Sequence, residues 1–415
     1  MRRPLAAVLA AVAAFAAALL PAAPAAADGI RDGEYWLDEY GIRAAWSVTQ
    51  GAGVTIAVID TGVDPDVPEL AGAVLPGADF SGIGDPLGHA PVGDDSPDHG
   101  TLVASIAAGR GTGPNTGLIG VAPQAMILPI SIGFGEGTVD SDTQIEQAVR
   151  FAVDSGADII NMSLTRNTLE WPRSWDDAFL YAMEHDVVIV AAAGNRSSGT
   201  TVVGAPATMP GVLAVAGVDR NGEASYDASS QGITIGVAAP SEELLGVAPG
   251  GAYMLWGGTS GAAPIVSGVA ALVRAAHPEL DAANVINRIV ATAHDQGAPG
   301  PDAIYGYGLI DAAAAVASSV PLVDRNPLGD LAEWIALYRP AEVDPAPLPT
   351  PVVVVPEPQE PVDVDVASPT GRLLPSIALL REVGIPALVI GAFLTALALL
   401  GVWVHRRLEA ANRSR

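Results

Sequence analysis

Between residues 54 and 276 the chain alternates short apolar runs with helical patterns, and this alternation narrows its possible folds most. Residues 54–59, 126–130, 158–163 and 187–193 are apolar runs of strand length. Residues 102–108, 144–153 and 262–276 read as helices, the second with Ile145, Ala148, Val149 and Ala152 at helical spacing. Strands separated by helices pair in parallel, with helices on both faces of the sheet. The expected class is α/β, three layers around a mostly parallel central sheet. In such sheets the reactive groups gather at the carboxyl ends of strands. Asp60, Ser163 and Asn195 each fall at or near the end of an apolar run.

Three short segments carry the chemistry. Ala57-Val58-Ile59-Asp60-Thr61-Gly62 ends a run on an acid. His99-Gly100-Thr101 opens a helix on a base, and Gly258-Thr259-Ser260-Gly261-Ala262-Ala263-Pro264 opens another on a hydroxyl. A serine hydroxyl is a weak nucleophile at neutral pH. It needs an imidazole to take its proton and a carboxylate to hold that imidazole in the right tautomer. Asp60, His99 and Ser260 are therefore the candidate catalytic residues, and Asp64, in a turn before Pro65, is the weaker acid. At a helix N-terminus Ser260 offers its own N–H and the helix dipole to a developing oxyanion. Pro264 is expected where a first-turn proline is tolerated. Asn195, after Ala191-Ala192-Ala193-Gly194, can add a second donor from a strand end. The other histidines (His89, His185, His277, His294, His405) repeat no ligand spacing, so no metal site is expected.

The chain has 415 residues, a net charge of −26 and no cysteine, and all 20 basic residues are arginine. Its acidity argues against nucleic-acid binding. Without disulfides a large hydrophobic core must hold the fold, and the roughly 300 residues between Asp28 and Pro340 suffice for one. Met1-Arg2-Arg3, an Ala/Leu-rich run and Ala25-Ala26-Ala27 have the form of a secretory signal peptide, residues 1–27. Residues 28–50 form an N-terminal extension and 51–320 the catalytic domain. Residues 321–382, rich in proline and acid, read as an extended linker. Residues 383–404 are almost wholly apolar and long enough to cross a bilayer. The tail, 405–415, carries Arg406, Arg407, Arg413 and Arg415, which mark the cytoplasmic side. The expected location is the cell membrane, single-pass, with the catalytic domain outside.

The segments 58–63 and 98–101, Ile160-Asn161-Met162-Ser163-Leu164, Ala192-Ala193-Gly194-Asn195, Gly258-Thr259-Ser260 and 306–313 together resemble the subtilisin family of serine proteases. The resemblance implies the subtilisin-like fold, Asp60, His99 and Ser260 as the triad, and Asn195 as oxyanion donor. It implies that Ser163 and Leu164 pair with the backbone of a protein or peptide substrate, with Thr165 and Gly194 beside them. It implies no required cofactor and admits a structural calcium ion, to which no ligands are assigned. Signal peptide, catalytic domain, proline-rich linker, one membrane helix and basic tail further resemble the mycosins, membrane-anchored subtilases of actinobacterial type VII secretion systems. Processing of exported proteins and contact with the secretion membrane components are then implied. Two other roles fit the architecture: a general degradative surface protease, and a structural subunit of the secretion complex with catalysis secondary. The chain departs from the family in four places. Gly261 stands where a bulky residue is usual, Ser105 replaces a glycine common in the His99 helix, Thr165 and Arg166 stand where glycine is common, and the disulfides of some mycosins are absent. The third change is expected to narrow or re-line the primary specificity pocket.

Overall fold

The computed structural model describes residues 29–339 apart from Glu136. Seven strands form one sheet in the order β2-β3-β1-β4-β5-β6-β7. They are β1 (Thr55–Asp60), β2 (Ala78–Asp79), β3 (Met126–Ser131), β4 (Ile159–Met162), β5 (Val188–Ala192), β6 (Leu213–Val218) and β7 (Ile235–Pro240). Every neighbouring pair is parallel. A separate antiparallel hairpin joins β8 (Leu244–Val247) to β9 (Tyr253–Trp256). The helices are α1 (Gly29–Gly33), α2 (Trp36–Glu39), α3 (Ile42–Ala45), α4 (His99–Ala108), α5 (Ser141–Asp154), α6 (Arg173–Glu184), α7 (Thr259–Ala276), α8 (Ala282–Ala291), α9 (Ala312–Ala317) and α10 (Leu331–Tyr338).

Helix α4 lies in the connection from β2 to β3, α5 in that from β3 to β4 and α6 in that from β4 to β5. Helix α4 packs with α7, and α5 packs with α6. β1 lies where the order reverses, between β3 and β4, and the crevice beyond its carboxyl end is where such sheets hold ligands. Central strands buried on both faces need no alternation, and β1, β4 and β5 are continuous apolar runs apart from Asn161 and the terminal Thr55 and Asp60. Among the described residues only α7 has the length and hydropathy of a bilayer-crossing helix, and it is buried against the sheet instead.

The runs read from the sequence coincide with β1, β3, β4 and β5, and the helical patterns with α4, α5 and α7. Strands β6 and β7 lie beyond that reading; their Ala and Gly content gives weak strand signals. Two boundaries are corrected. The N-terminal extension is part of the domain core: Trp36, Leu37 and Ile42 are fully buried. It is pinned by Glu34, whose Oε1 accepts the Ile119 N–H at 2.8 Å, and by Tyr35, whose hydroxyl donates to the Glu242 carbonyl at 2.9 Å. The folded unit also runs past 320. Asn284 exchanges two hydrogen bonds with Val323, Asn287 donates to the Pro321 carbonyl, and Leu331 is buried. Trp334 of α10 packs on Trp171 at 4.5 Å between ring centroids, and Arg339 pairs with Asp176 at 3.0 Å. Side-chain amides satisfy this strap's backbone, so it carries no periodic signal. The expected signal peptide (1–27), membrane helix (383–404), tail (405–415) and the rest of the linker lie outside the described residues.

Trp36 tests whether the extension belongs to the core. Trp36→Ala is expected to destabilise the domain by about 3–5 kcal/mol, the range for emptying a buried aromatic site, read as a lower urea midpoint at unchanged m-value. A loss under about 0.5 kcal/mol, the range of ordinary surface changes, would show that the segment is not core.

Candidate active site

Asp60 is the last residue of β1 and fully buried. A buried carboxylate must be paired. Its Oδ1 accepts the Thr61 N–H at 2.8 Å, and Oδ1 and Oδ2 lie 2.8 and 3.0 Å from Nδ1 of His99. That contact assigns the proton to Nδ1 and leaves Nε2 as the acceptor at the cleft.

The residues flanking the two groups lock them together. Thr61 Oγ1 accepts the Gly100 N–H at 2.9 Å and donates to the Pro97 carbonyl at 3.1 Å. A Cβ on Gly100 would stand 2.2 Å from the Gly62 carbonyl oxygen, so only glycine lets α4 start this close to β1. Asp64 is excluded from the site chemistry by its own contacts: its carboxylate accepts the N–H groups of Asp66 and Gly250. Burial pulls the His99 pKa down, but the Asp60 charge and hydrogen bond outweigh it and hold the imidazole above its ordinary 6.5.

Ser260 is the second residue of α7, so its N–H has no partner within the helix. Pro264 is the sixth residue of α7, not a first-turn residue as expected. A proline there removes the N–H that would bond the carbonyl four residues back, at Ser260. Ser163 repairs the loss: its hydroxyl donates to that carbonyl at 2.8 Å. Asn161 Nδ2 donates to Ser163 Oγ at 3.0 Å, and Ser267 donates to Asn161 Oδ1 at 2.9 Å, tying the end of β4 to α7. The Ser260 hydroxyl donates to the Ser163 carbonyl at 3.2 Å.

Asn195 follows β5. Its Oδ1 accepts both the N–H and the hydroxyl of Thr259, at 2.8 and 2.9 Å. Two donors on Oδ1 fix the amide orientation and leave Nδ2 as a free donor. Gly258, at φ 112°, has Asn195 Nδ2 only 2.7 Å from where a Cβ would stand, so it too must be glycine. Thr259 is the residue that sequence reasoning missed here; its place between Gly258 and Ser260 was the available signal.

His99, Ser260 and Asn195 line one cleft of about 350 Å³ with Ser163, Leu164, Thr165, Gly194, Thr61 and Phe134. The structure thus brings together every predicted site residue, with Asp60 behind His99. Of the two pocket residues that replace glycine, only Thr165 reaches the cleft. Arg166 turns away to pair with Asp142 and lies 5.5 Å from the Trp175 ring. Among the described residues no cluster of three or more His, Cys, Asp or Glu could hold a metal ion.

Residues 51–308 match the model of the Subtilase family, Peptidase_S8. The chain belongs to the subtilase family. It is 36% identical to Mycosin-3 of Mycobacterium tuberculosis over 68% of this chain and 71% of that one. It is also 36% identical to thermitase of Thermoactinomyces vulgaris, over 55% and 77%. Among solved structures, the MycP3 protease from the type VII (ESX-3) secretion system superposes with a TM-score of 0.60 at 33% identity, covering 69% of this chain and 88% of that one. MycP1 from the ESX-1 type VII secretion system gives 0.60 at 30% identity, over 69% and 86%. Membership of the subtilases implies serine endopeptidase activity.

The His99 environment predicts a pH response for His99 acting as the general base. A general base must be neutral, so kcat/KM is expected to rise with pH through an apparent pKa above 6.5. Asp60→Asn removes the group that raises the pKa and is expected to lower both that midpoint and kcat, the latter by about 10⁴-fold. A midpoint that ignores Asp60→Asn would refute the pairing.

Proposed function

We propose that this chain is a membrane-anchored extracytoplasmic serine endopeptidase that processes proteins exported by a type VII secretion system. The contact of both Asp60 oxygens with His99, in one cleft with Ser260 and Asn195, carries the chemical part of the reading. Likeness to Mycosin-3 and to MycP structures from type VII systems supports the secretion part. The apolar segment 383–404, its arginine-rich tail and the signal-like residues 1–27 support the anchor and its orientation.

In the proposed reaction a peptide lies along Ser163 and Leu164 with its scissile carbonyl at Ser260. The Ser260 hydroxyl leaves the Ser163 carbonyl for Nε2 of His99, which takes its proton as the oxygen attacks. Asp60 stabilises the imidazolium without leaving the Nδ1 contact. The tetrahedral oxyanion is held by Asn195 Nδ2 and the Ser260 N–H, at the positive end of the 18-residue helix α7. His99 then returns the proton to the leaving amine, and water repeats the sequence on the acyl-enzyme.

A fluorophosphonate is expected to label Ser260, with labelling abolished by Ser260→Ala. Asn195→Ala is expected to lower kcat by about 10²–10³-fold with KM little changed, because its donor acts in the transition state. Label surviving Ser260→Ala, or an Asn195→Ala loss within about twofold, would sink these assignments. The biological role is read from secreted proteins. A Ser260→Ala strain is expected to export a few proteins at unprocessed size. Bulk protein accumulation would mean degradation instead, and secretion lost on deletion but restored by Ser260→Ala would mean scaffolding.

A further inference from the structure

Two of the positions where the chain departs from the family, Ser105 and Gly261, face the same element, the β8–β9 hairpin. Ser105 is buried in α4; its hydroxyl accepts the Val247 N–H at 3.1 Å and donates to the Leu102 carbonyl at 2.7 Å. Gly246 lies against α4 so closely that a Cβ would stand 2.7 Å from Leu102 Cδ2 and from Trp256 Nε1. On the other side, a Cβ on Gly261 would stand 2.4 Å from Leu244 Cδ1 and 3.6 Å from Trp256 Cζ2. The volume that a large side chain at 261 would fill, next to the nucleophile, is filled by the hairpin. Serine in α4 fastens the hairpin, and glycine in α7 makes room for it.

The hairpin delivers one ring to the reaction centre. Trp256, the last residue of β9, meets His99 edge to face, with centroids 5.6 Å apart and planes at 80°. The Trp256 Nε1 is buried without an acceptor among the described residues, so packing alone holds the indole. Asp60 grips His99 through Nδ1 only. An imidazole held at one edge can pivot about it, carrying Nε2 away from Ser260. Trp256 stands against that motion, and the strands behind it are braced by the Ser105 bond and by the Tyr35 hydroxyl on the Glu242 carbonyl.

We infer that Trp256, held by the β8–β9 hairpin in the gap left by Gly261, is a positioning residue for the His99 imidazole. The inference rests on the triad reading and adds to it a residue outside the lining of the cleft. Edge-to-face contacts are weak, about 0.5–1.5 kcal/mol. The larger consequence is geometric, because small misplacements of a catalytic group cost rate steeply.

The test uses reagents without residues on the leaving-group side, so that lost substrate contacts do not enter. The rate of fluorophosphonate labelling at Ser260, and kcat and KM on a peptide p-nitroanilide, are measured alongside thermal melting. Trp256→Ala is expected to slow labelling and lower kcat by about 10–100-fold, with KM within about twofold. Trp256→Phe, which keeps a ring, is expected to stay within about threefold of wild type. Should Trp256→Ala fail to fold, Ser105→Gly loosens the hairpin instead and is expected to slow labelling about 3–10-fold. Unchanged labelling and kcat in Trp256→Ala, or in Ser105→Gly where that variant replaces it, would overturn the inference. So would a defect confined to KM on substrates extended beyond the scissile bond. Absence of Ser260 labelling in the wild-type chain would overturn the triad reading and this one with it.

Discussion

A fully buried carboxylate at the end of β1 is the group around which the site is built. Unpaired, Asp60 would cost several kcal/mol in desolvation. The structure answers with the Thr61 N–H and the His99 ring, and this fixes where α4 must begin. Bringing α4 that close demands glycine at 100 and a threonine hydroxyl at 61 to take the first free N–H. The proposed catalytic base is thus placed by the electrostatic need of the acid behind it. The same pairing outweighs burial and keeps His99 a stronger base than free imidazole.

The proposed nucleophile, Ser260, is placed by a different need. Pro264 leaves the Ser260 carbonyl without its helical partner, and Ser163 supplies one from across the sheet end. That bond, with Asn161 and Ser267 behind it, fixes the backbone that carries both the Ser260 hydroxyl and the N–H proposed as an oxyanion donor. Thr259 does the equivalent work for Asn195 by occupying its Oδ1. The hairpin closes the remaining side of the imidazole. The departures at Ser105 and Gly261 look unrelated along the chain and become one feature once Val247, Leu244 and Trp256 lie against them.

Much of this was legible without coordinates. The alternation of apolar runs and helices specified a parallel sheet, because only helical crossovers join parallel neighbours over such lengths. Asp60, His99, Ser260 and Asn195 could be picked out as candidates because each sits in a short segment whose glycines and hydroxyls have local backbone duties. Less legible were the ends of the domain. Residues 29–50 and 321–339 fold onto the core through single buried rings and side-chain amides, such as Trp36 and Asn284, which leave no period in the sequence.

The sequence by itself therefore determined the fold class, the candidate reacting groups and their places at strand ends and helix starts, since these follow from periodicity and local turn chemistry. Only the tertiary structure decided how those groups are held. Ser163 reaches Ser260 across 97 residues, Thr259 reaches Asn195 across 64, and Ser105 reaches Val247 across 142. The structure also moved Pro264 out of the first turn and turned Arg166 away from the cleft. The physical reason is that buried polar groups must be satisfied and buried volume must be filled by whatever the fold brings near. Neither requirement has a signature confined to neighbouring residues.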